Sequence, residues 1–551
     1  MSRVPSVRRM VRSVATWPPA RFRWSLLGLV VLLVLATRLL SFSFSPLPFN
    51  NDGMTESRIA DDILASGGLD YPEGASYVGT HSTITPFYNV ALAFCASILG
   101  VSAFSVAQFV IAGVSLVTVL GTYLLSFEVT KSRTAALGSS MVLSLLGSFV
   151  YLTASTWKAA LGVSLFVVLA YAYCNRSDKR FMILEIIALI TLPFVHHLVA
   201  VLAYAFVAYM TVWSVLAAIR NRRFRARHVT DISVVAAPAV AAYSYYHFAS
   251  LDRLDYLADG SGFLAFGVIF FLTSVVFSLV MIQRRHLRFT LSWVPAILVM
   301  VFFLVDFTNP LFSYSAGTPY YVVVLASASC LVLGVGWYGY ELIVESKSRY
   351  RAVPLGLFLP ILTLVCFALF MGLGLRSHQI LYRSFDFVYV SVALGVGVVI
   401  MHMESRPRVR LTLVAFLIVA LLLSFPFGHA TGTLTGVRHD TQEYEVDALG
   451  WLAENAGSNC TLFSDERLSY NARAIFDMVK RNDLPYMLNL SRYPPPGSYS
   501  LYEYEWSVVG VNDYPRGHPV IDANHVEAVM ADLNVVYVGG PMANQAVIIS
   551  A

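Results

Sequence analysis

The sequence predicts a mainly α polytopic membrane bundle followed by a small α/β domain. Three observations carry this. Charged residues make up only 13% of the 551 residues and hydrophobic ones 57%, with a mean hydropathy of +0.66; soluble domains carry about 25% charge. Apolar stretches long enough to cross a bilayer recur along residues 25–427. After residue 427 the composition changes, and acids outnumber bases roughly two to one. The reading is therefore a transmembrane domain over 1–427 and an extracytoplasmic domain over 428–551.

Residues 1–23 are basic, with Arg3, Arg8, Arg9, Arg12, Arg21 and Arg23. The apolar run from Ser25 to Ser43 is too long for a signal-peptide core, and no small-x-small cleavage site follows it. It reads as a retained helix with its N-terminus in the cytoplasm. Further apolar runs cover 84–100, 104–127, 134–154, 159–174, 181–194, 198–219, 230–249, 262–283, 289–306, 319–343, 354–375, 384–403 and 410–427. Basic loops at Lys131–Arg133, Arg176–Arg180, Arg220–Arg227, Arg284–Arg288, Lys347–Arg351 and Arg406–Arg410 mark the cytoplasmic side. Alternation then requires one run not to cross. The short 84–100 run, with Pro86 near its start, is the choice, leaving about thirteen spans. The outer segments become the loop 44–83, Ser155–Lys158, His196-His197, 250–261, 307–318, Arg376–Arg383 and everything after 428.

The outer loop 44–83 holds the most unusual stretch. Asp52, Glu56, Asp61 and Asp62 fall close together at the exit of the first span. Asn51 or Asp52 is expected to cap a helix beginning near Met54. Ile59 and Ile63 share one face, so the helix should lie on the membrane surface. Asp61 and Asp62 read as solvated. Glu185 and Asp306 lie in or near apolar runs, where a central charge costs about 2.5–3.5 kcal/mol, so each needs a partner or a place near an edge.

In 428–551, Glu445–Glu454 reads as an amphipathic helix, Cys460–Phe463 and Val535–Val538 as short buried strands, Asn471–Lys480 as a helix and Arg492–Ser500 as a loop. Asn459 and Asn489 begin N-glycosylation triplets on the expected outer side. The five cysteines form no metal-type spacing and no disulfide framework. The charge split is a signal of topology, and nothing in it points to nucleic acid.

A short basic N-terminus, one helix, an acidic outer loop, about a dozen further helices and an outer C-terminal domain resemble the GT-C glycosyltransferases, most closely the dolichyl-phosphate-mannose dependent transferases. Asn51-Asp52-Gly53-Met54-Thr55-Glu56 occupies the place of that family's first-loop acidic motif. Thr85-Pro86-Phe87-Tyr88 is similar to its proline-containing segment, and Glu445–Asp465 to the start of several outer domains. The resemblance implies a polyprenyl- or dolichyl-phosphate-linked sugar donor in the bilayer, a glycan acceptor and catalytic Asp52, with Glu56 a further candidate. The segment 151–158 lacks the carboxylate that oligosaccharyltransferase subunits carry in a later loop, and no WWD-type signature follows 428. Both absences fit a transferase of single sugars without a metal cofactor.

Such a transfer needs a base for the attacking hydroxyl and cations for the leaving phosphate. Arg376, His378, Arg383 and Lys158 are the candidates for the phosphate, with His196 and His197 beside them. Each has an alternative: interfacial anchoring for the arginines, pairing of Arg383 with Asp386, snorkelling for Lys158 and ordinary interfacial burial for the histidines. The commonest related activities make mannose the expected sugar, transferred to a lipid- or protein-linked glycan in N-glycan or cell-surface glycan assembly. The excess of arginine over lysine and the acidic outer domain suit a high-GC, salt-adapted prokaryote such as an archaeon. A lipid-linked oligosaccharide flippase is the alternative, against which stand the lack of internal repeats and the placement of the acids outside.

Overall fold

A computed structural model describes residues 20–43, 45–69, 85–222, 226–248, 260–283, 294–309, 320–346, 348, 350–372, 375–429, 440–457, 459–490, 492–507, 511, 520–531, 533–540 and 546–550. The loop 250–261 falls almost wholly outside these residues, as does most of 307–318, and so do the arginines at positions 3, 8, 9 and 12.

Apolar sequence forces helix here, because a backbone without water must satisfy its own polar groups. The helices are α1 (Ala20–Leu39), α2 (Asn51–Ser66), α3 (Phe87–Leu99), α4 (Ala103–Thr130), α5 (Arg133–Leu145), α6 (Gly147–Ala154), α7 (Lys158–Asn175), α8 (Lys179–Val195), α9 (His197–Arg220), α10 (Ala226–Phe248), α11 (Gly260–Gln283), α12 (Val294–Thr308), α13 (Tyr320–Glu345), α14 (Val353–Phe370), α15 (Leu375–His402) and α16 (Pro407–Ser424). Eight described helices are long and apolar enough to cross a membrane, or nine if the bent pair α5–α6 forms one span. The α3 helix has 13 residues and falls among the shorter apolar helices. The remaining spans expected from the sequence fall on α8, α10, α11 and α12, of which the described apolar parts of α11 and α12 are shorter than a full crossing.

The 134–154 run is not one straight helix. It breaks at Leu146, where α5 and α6 meet at 68°. The break releases carbonyls that α5 cannot use, and Arg38 of α1 takes them: its guanidinium donates to Ser144 O at 2.7 Å and Leu143 O at 3.0 Å, and to Thr153 Oγ1 of α6 at 3.0 Å. Non-helical backbone at such depth is tolerated because it is enclosed by protein. Glycines set the closest packing in the bundle. A Cβ at Gly339 of α13 would lie 1.9 Å from the Gly395 carbonyl oxygen of α15, so these two backbones touch with no side chain between them. At the far end of α7, Glu185 has its partner: Arg176 stands 3.8 Å away and also pairs with Asp231 of α10. Asp306 is fully buried on α12.

The C-terminal domain opens with α17 (Glu443–Ala456), then β1 (Thr461–Phe463), α18 (Glu466–Phe476), β2 (Val479–Arg481), α19 (Leu484–Asn489), β3 (Tyr499–Glu503), α20 (Ala523–Ala531), β4 (Asn534–Gly539) and β5 (Ala546–Ser550). The sheet order is β2-β1-β3-β5-β4. The first three strands are parallel, with Leu462 opposite Lys480 and Tyr499; β5 pairs antiparallel with β3 and β4. Leu449, Leu452, Leu462, Leu468 and Trp506 fill its core. Two expectations change. The helix expected over 471–480 runs from Glu466 to Phe476 because Asp465 caps it, accepting the Leu468 N–H at 2.7 Å, and residues 479–481 are strand. Val535–Val538 is strand but not buried, since β4 is the sheet edge and Val535 and Val538 are exposed.

Arg467 is the polar centre of this domain. It is 2% exposed and lies 2.6 Å from Glu445 and 2.7 Å from Glu503, both fully buried; Glu503 also accepts the Trp506 indole N–H. Removing one partner of a buried ion pair costs about 3–5 kcal/mol, because the remaining charge is stranded. Arg467→Met is therefore expected to destabilise the C-terminal domain by about 3–5 kcal/mol, seen as earlier proteolysis of this domain on heating, with the membrane bundle retained.

Candidate active site

The site is built on α2, whose start differs from the sequence expectation. The cap is Asn50, with φ 84°; its side chain accepts the Asp52 N–H at 3.2 Å, and the helix begins at Asn51. Asp52 thus stands in the first turn, where the helix dipole favours negative charge, and its carboxylate is released from capping. Ile59 is buried as its spacing predicts, and Ile63 packs on the neighbouring cluster with Tyr88, Leu92 and Ala60. The outward acids are not simply solvated. Asp61 accepts the Ala103 N–H at 2.7 Å and so caps α4, and Asp62 pairs with Arg58 at 3.1 Å.

Asp52 is exposed at its own surface, yet protein surrounds it closely enough that desolvation raises its pKa above the ordinary carboxylate range. The positive charges of Arg383 and, secondarily, Lys158 oppose that shift. Arg383 is exposed on α15, and the stretch 376–383, expected as a loop, is helical from Leu375 onward. Positions 376 and 383 are seven residues apart, hence on one stripe of that helix. The side chains of Arg376, His378 and Asp386 lie outside the described residues.

Glu56 sits one turn beyond Asp52 and is held rather than free. Lys158 lies 3.1 Å from its carboxylate, and Asn89 of α3 donates to both its side chain and its backbone carbonyl, the latter at 3.1 Å. Lys158 also donates to Thr85 Oγ1 at 3.4 Å. It is buried at the start of α7 and does not snorkel into open solvent. His196 and His197 stack with ring centroids 5.0 Å apart, and His196 Nδ1 accepts the Val199 N–H at 3.4 Å, capping α9. The Arg383 and Lys158 charges bear on both rings, so these six side chains share one electrostatic neighbourhood. Among the described residues no three His, Cys, Asp or Glu converge as a metal-binding group.

Sequence reading missed the residues behind this cluster. Gln108 of α4 joins the Phe49 N–H to the carbonyls of Arg38 and Ala154. Thr156 binds the Phe49 carbonyl. Polar side chains inside apolar runs, as Arg38 and Gln108 are, were the available signal; for Thr156 there was none.

The C-terminal domain lies against the same helix. Arg58 Nη1 donates to the Ile475 carbonyl at 2.8 Å, at the end of α18, and its Nη2 lies 3.7 Å from Asp477. Ser45 Oγ donates to the Thr441 carbonyl. Asp52, Lys158, Arg383 and the C-terminal domain are thus gathered at one end of the bundle.

No family model matches this sequence, and no curated protein matches it. Comparison with solved structures aligns nearly the whole chain. The arabinofuranosyltransferase AftD from Mycobacteria matches 98% of this chain and 40% of its own, with 12% identity and a TM-score of 0.48. ArnT from Cupriavidus metallidurans, bound to undecaprenyl phosphate, matches 96% of this chain and 98% of its own, with 12% identity and a TM-score of 0.37. The chain spans about 40% of the length of AftD.

Because Arg383 lowers the Asp52 pKa against desolvation, Arg383→Gln is expected to move the Asp52 titration to higher pH. Infrared difference spectra across a pH series, with Asp52→Asn identifying the carboxyl band, measure this; an unchanged midpoint contradicts the assignment of Arg383 to the site.

Proposed function

We propose that this protein is a GT-C-type membrane glycosyltransferase that moves a single sugar from a polyprenyl-phosphate carrier to a glycan hydroxyl on the extracytoplasmic face. The observation that carries the reading is Asp52: an exposed carboxylate in the first turn of α2, one turn before the Glu56–Lys158 ion pair, with the charges of Arg383 and Lys158 opposing the desolvation that raises its pKa. These are the properties of a general base beside an anion site.

In the proposed step Asp52 takes the proton of the acceptor hydroxyl. That oxygen attacks the anomeric carbon, the bond from this carbon to the phosphate oxygen breaks, and polyprenyl phosphate leaves with both electrons. The leaving group is already an acid anion and needs no proton. Its charge is met by Arg383, with Arg376 and His378 on the same helix and Lys158 at the start of α7. The His196-His197 pair stands beside these cations, where a phosphate or sugar would pass. Glu56 serves here by fixing Lys158. The step assigns the phosphate's countercharge to side chains and invokes no metal. Mannose, a dolichyl carrier, and an acceptor in N-glycan or cell-surface glycan assembly are the finer reading; it places the N-terminus in the cytoplasm and the C-terminal domain outside the cell membrane.

In vesicles supplied with a polyprenyl-phosphate-linked mannose and a glycan acceptor, Asp52→Asn is expected to lower transfer by about 10²–10⁴-fold, the usual worth of a general base, with the inserted amount unchanged. Transfer at the wild-type rate would remove the base from the mechanism. Mass spectrometry of surface glycans from cells lacking the protein should show one hexose fewer; an unaltered glycan counts against the acceptor and the sugar.

A further inference from the structure

Asp52 sits in a turn whose shape is imposed from outside it. Gln108, only 1% exposed on α4, spends its whole amide on three separate pieces of backbone. Its amide nitrogen, Nε2, gives one hydrogen bond to the Arg38 carbonyl at 2.9 Å, near the end of α1, and one to the Ala154 carbonyl at 2.8 Å, the last residue of α6. Its oxygen accepts the Phe49 N–H at 3.3 Å, just before α2. The Phe49 carbonyl in turn accepts from Thr156 twice, from its hydroxyl at 3.1 Å and its N–H at 3.3 Å. Phe49 is therefore held at both its N–H and its carbonyl.

The next residues pass that constraint to Asp52. Asn50 holds φ 84°, a conformation unusual for any residue but glycine, and binds the Asp52 N–H. Gly53 packs directly on Thr156: a Cβ there would lie 1.6 Å from Thr156 Oγ1. Glycine is required by this approach, since its backbone is ordinary helix. Strain held by surrounding hydrogen bonds beside a reactive carboxylate is the pattern of a pre-organised site.

We infer that Gln108 and Thr156 are positioning residues that fix the Asp52 carboxylate for proton transfer, acting through Phe49, Asn50 and Gly53 without touching substrate. This rests on the reading of Asp52 as the base. It gives a function to the Ser155–Lys158 segment, which has no carboxylate of its own. It also explains why α6 ends where it does, since the Ala154 carbonyl is one of the three points that Gln108 measures between.

The test compares Thr156→Val, which keeps the shape and removes the hydroxyl, with Thr156→Ser, which restores it, and with Gln108→Glu, which replaces the two-donor group by an oxygen. All are assayed in vesicles beside wild type and Asp52→Asn. A displaced base costs about 10–100-fold in turnover. Thr156→Val and Gln108→Glu should show that loss in kcat with the KM for the lipid-linked donor within about twofold of wild type, and Thr156→Ser should recover most of the rate. Wild-type kcat in both variants overturns the inference. So does a loss that appears equally in KM, a loss that serine does not rescue, or failure of both variants to insert where Asp52→Asn inserts, each of which marks a merely structural role. Should Asp52→Asn itself remain active, the base is misassigned; should it be dead while the other variants are normal, only the positioning role falls.

Discussion

A carboxylate surrounded by protein is costly unless positive charge stands near it, and that constraint organises one end of this bundle. Asp52 and Glu56, on successive turns of α2, are answered by Lys158 at the start of α7 and Arg383 on α15. The two acids are treated differently. Glu56 is closed into contacts with Lys158 and Asn89, while Asp52 keeps an exposed surface. Two residues of the same charge, four positions apart, thus take a holding role and a free one through their surroundings alone.

The bundle supplies the rigidity this arrangement needs by interrupting a helix. An unbroken 134–154 helix would carry the chain straight on. After the break at Leu146 and its 68° bend, Thr153 meets Arg38 of α1, Ala154 meets Gln108 of α4 and Thr156 meets Phe49 just before α2. Arg38 makes the break tolerable by binding the freed carbonyls of α5, so the first span closes the bend that the turn before α2 leans on. A buried arginine is well suited to this, since its fork reaches several acceptors with fixed geometry.

The C-terminal domain adds a second support. Its own core is tied by Arg467 between Glu445 and Glu503, and it meets α2 through Arg58 at the carbonyl end of α18, where a cation is favoured by the helix dipole. The helix carrying Asp52 is therefore held by both the bundle and the C-terminal domain.

Hydropathy and charge determined the helical bundle, the change of material after residue 427, the acidic helix and the identity of its first carboxylate, because burial of apolar runs and the spacing of charges are local properties of the chain. The pairing of Glu56 with Lys158, the partner of Glu185, the capping of α4 by Asp61 and the helical state of 376–383 were decided by tertiary structure. So was the exposure of β4, since an edge strand and a central one share the same apolar sequence. The close approach of Gly53 to Thr156 and the three-way grip of Gln108 join residues about fifty to a hundred positions apart; a contact between distant segments has no period and no local composition, and only the folded packing brings it into being.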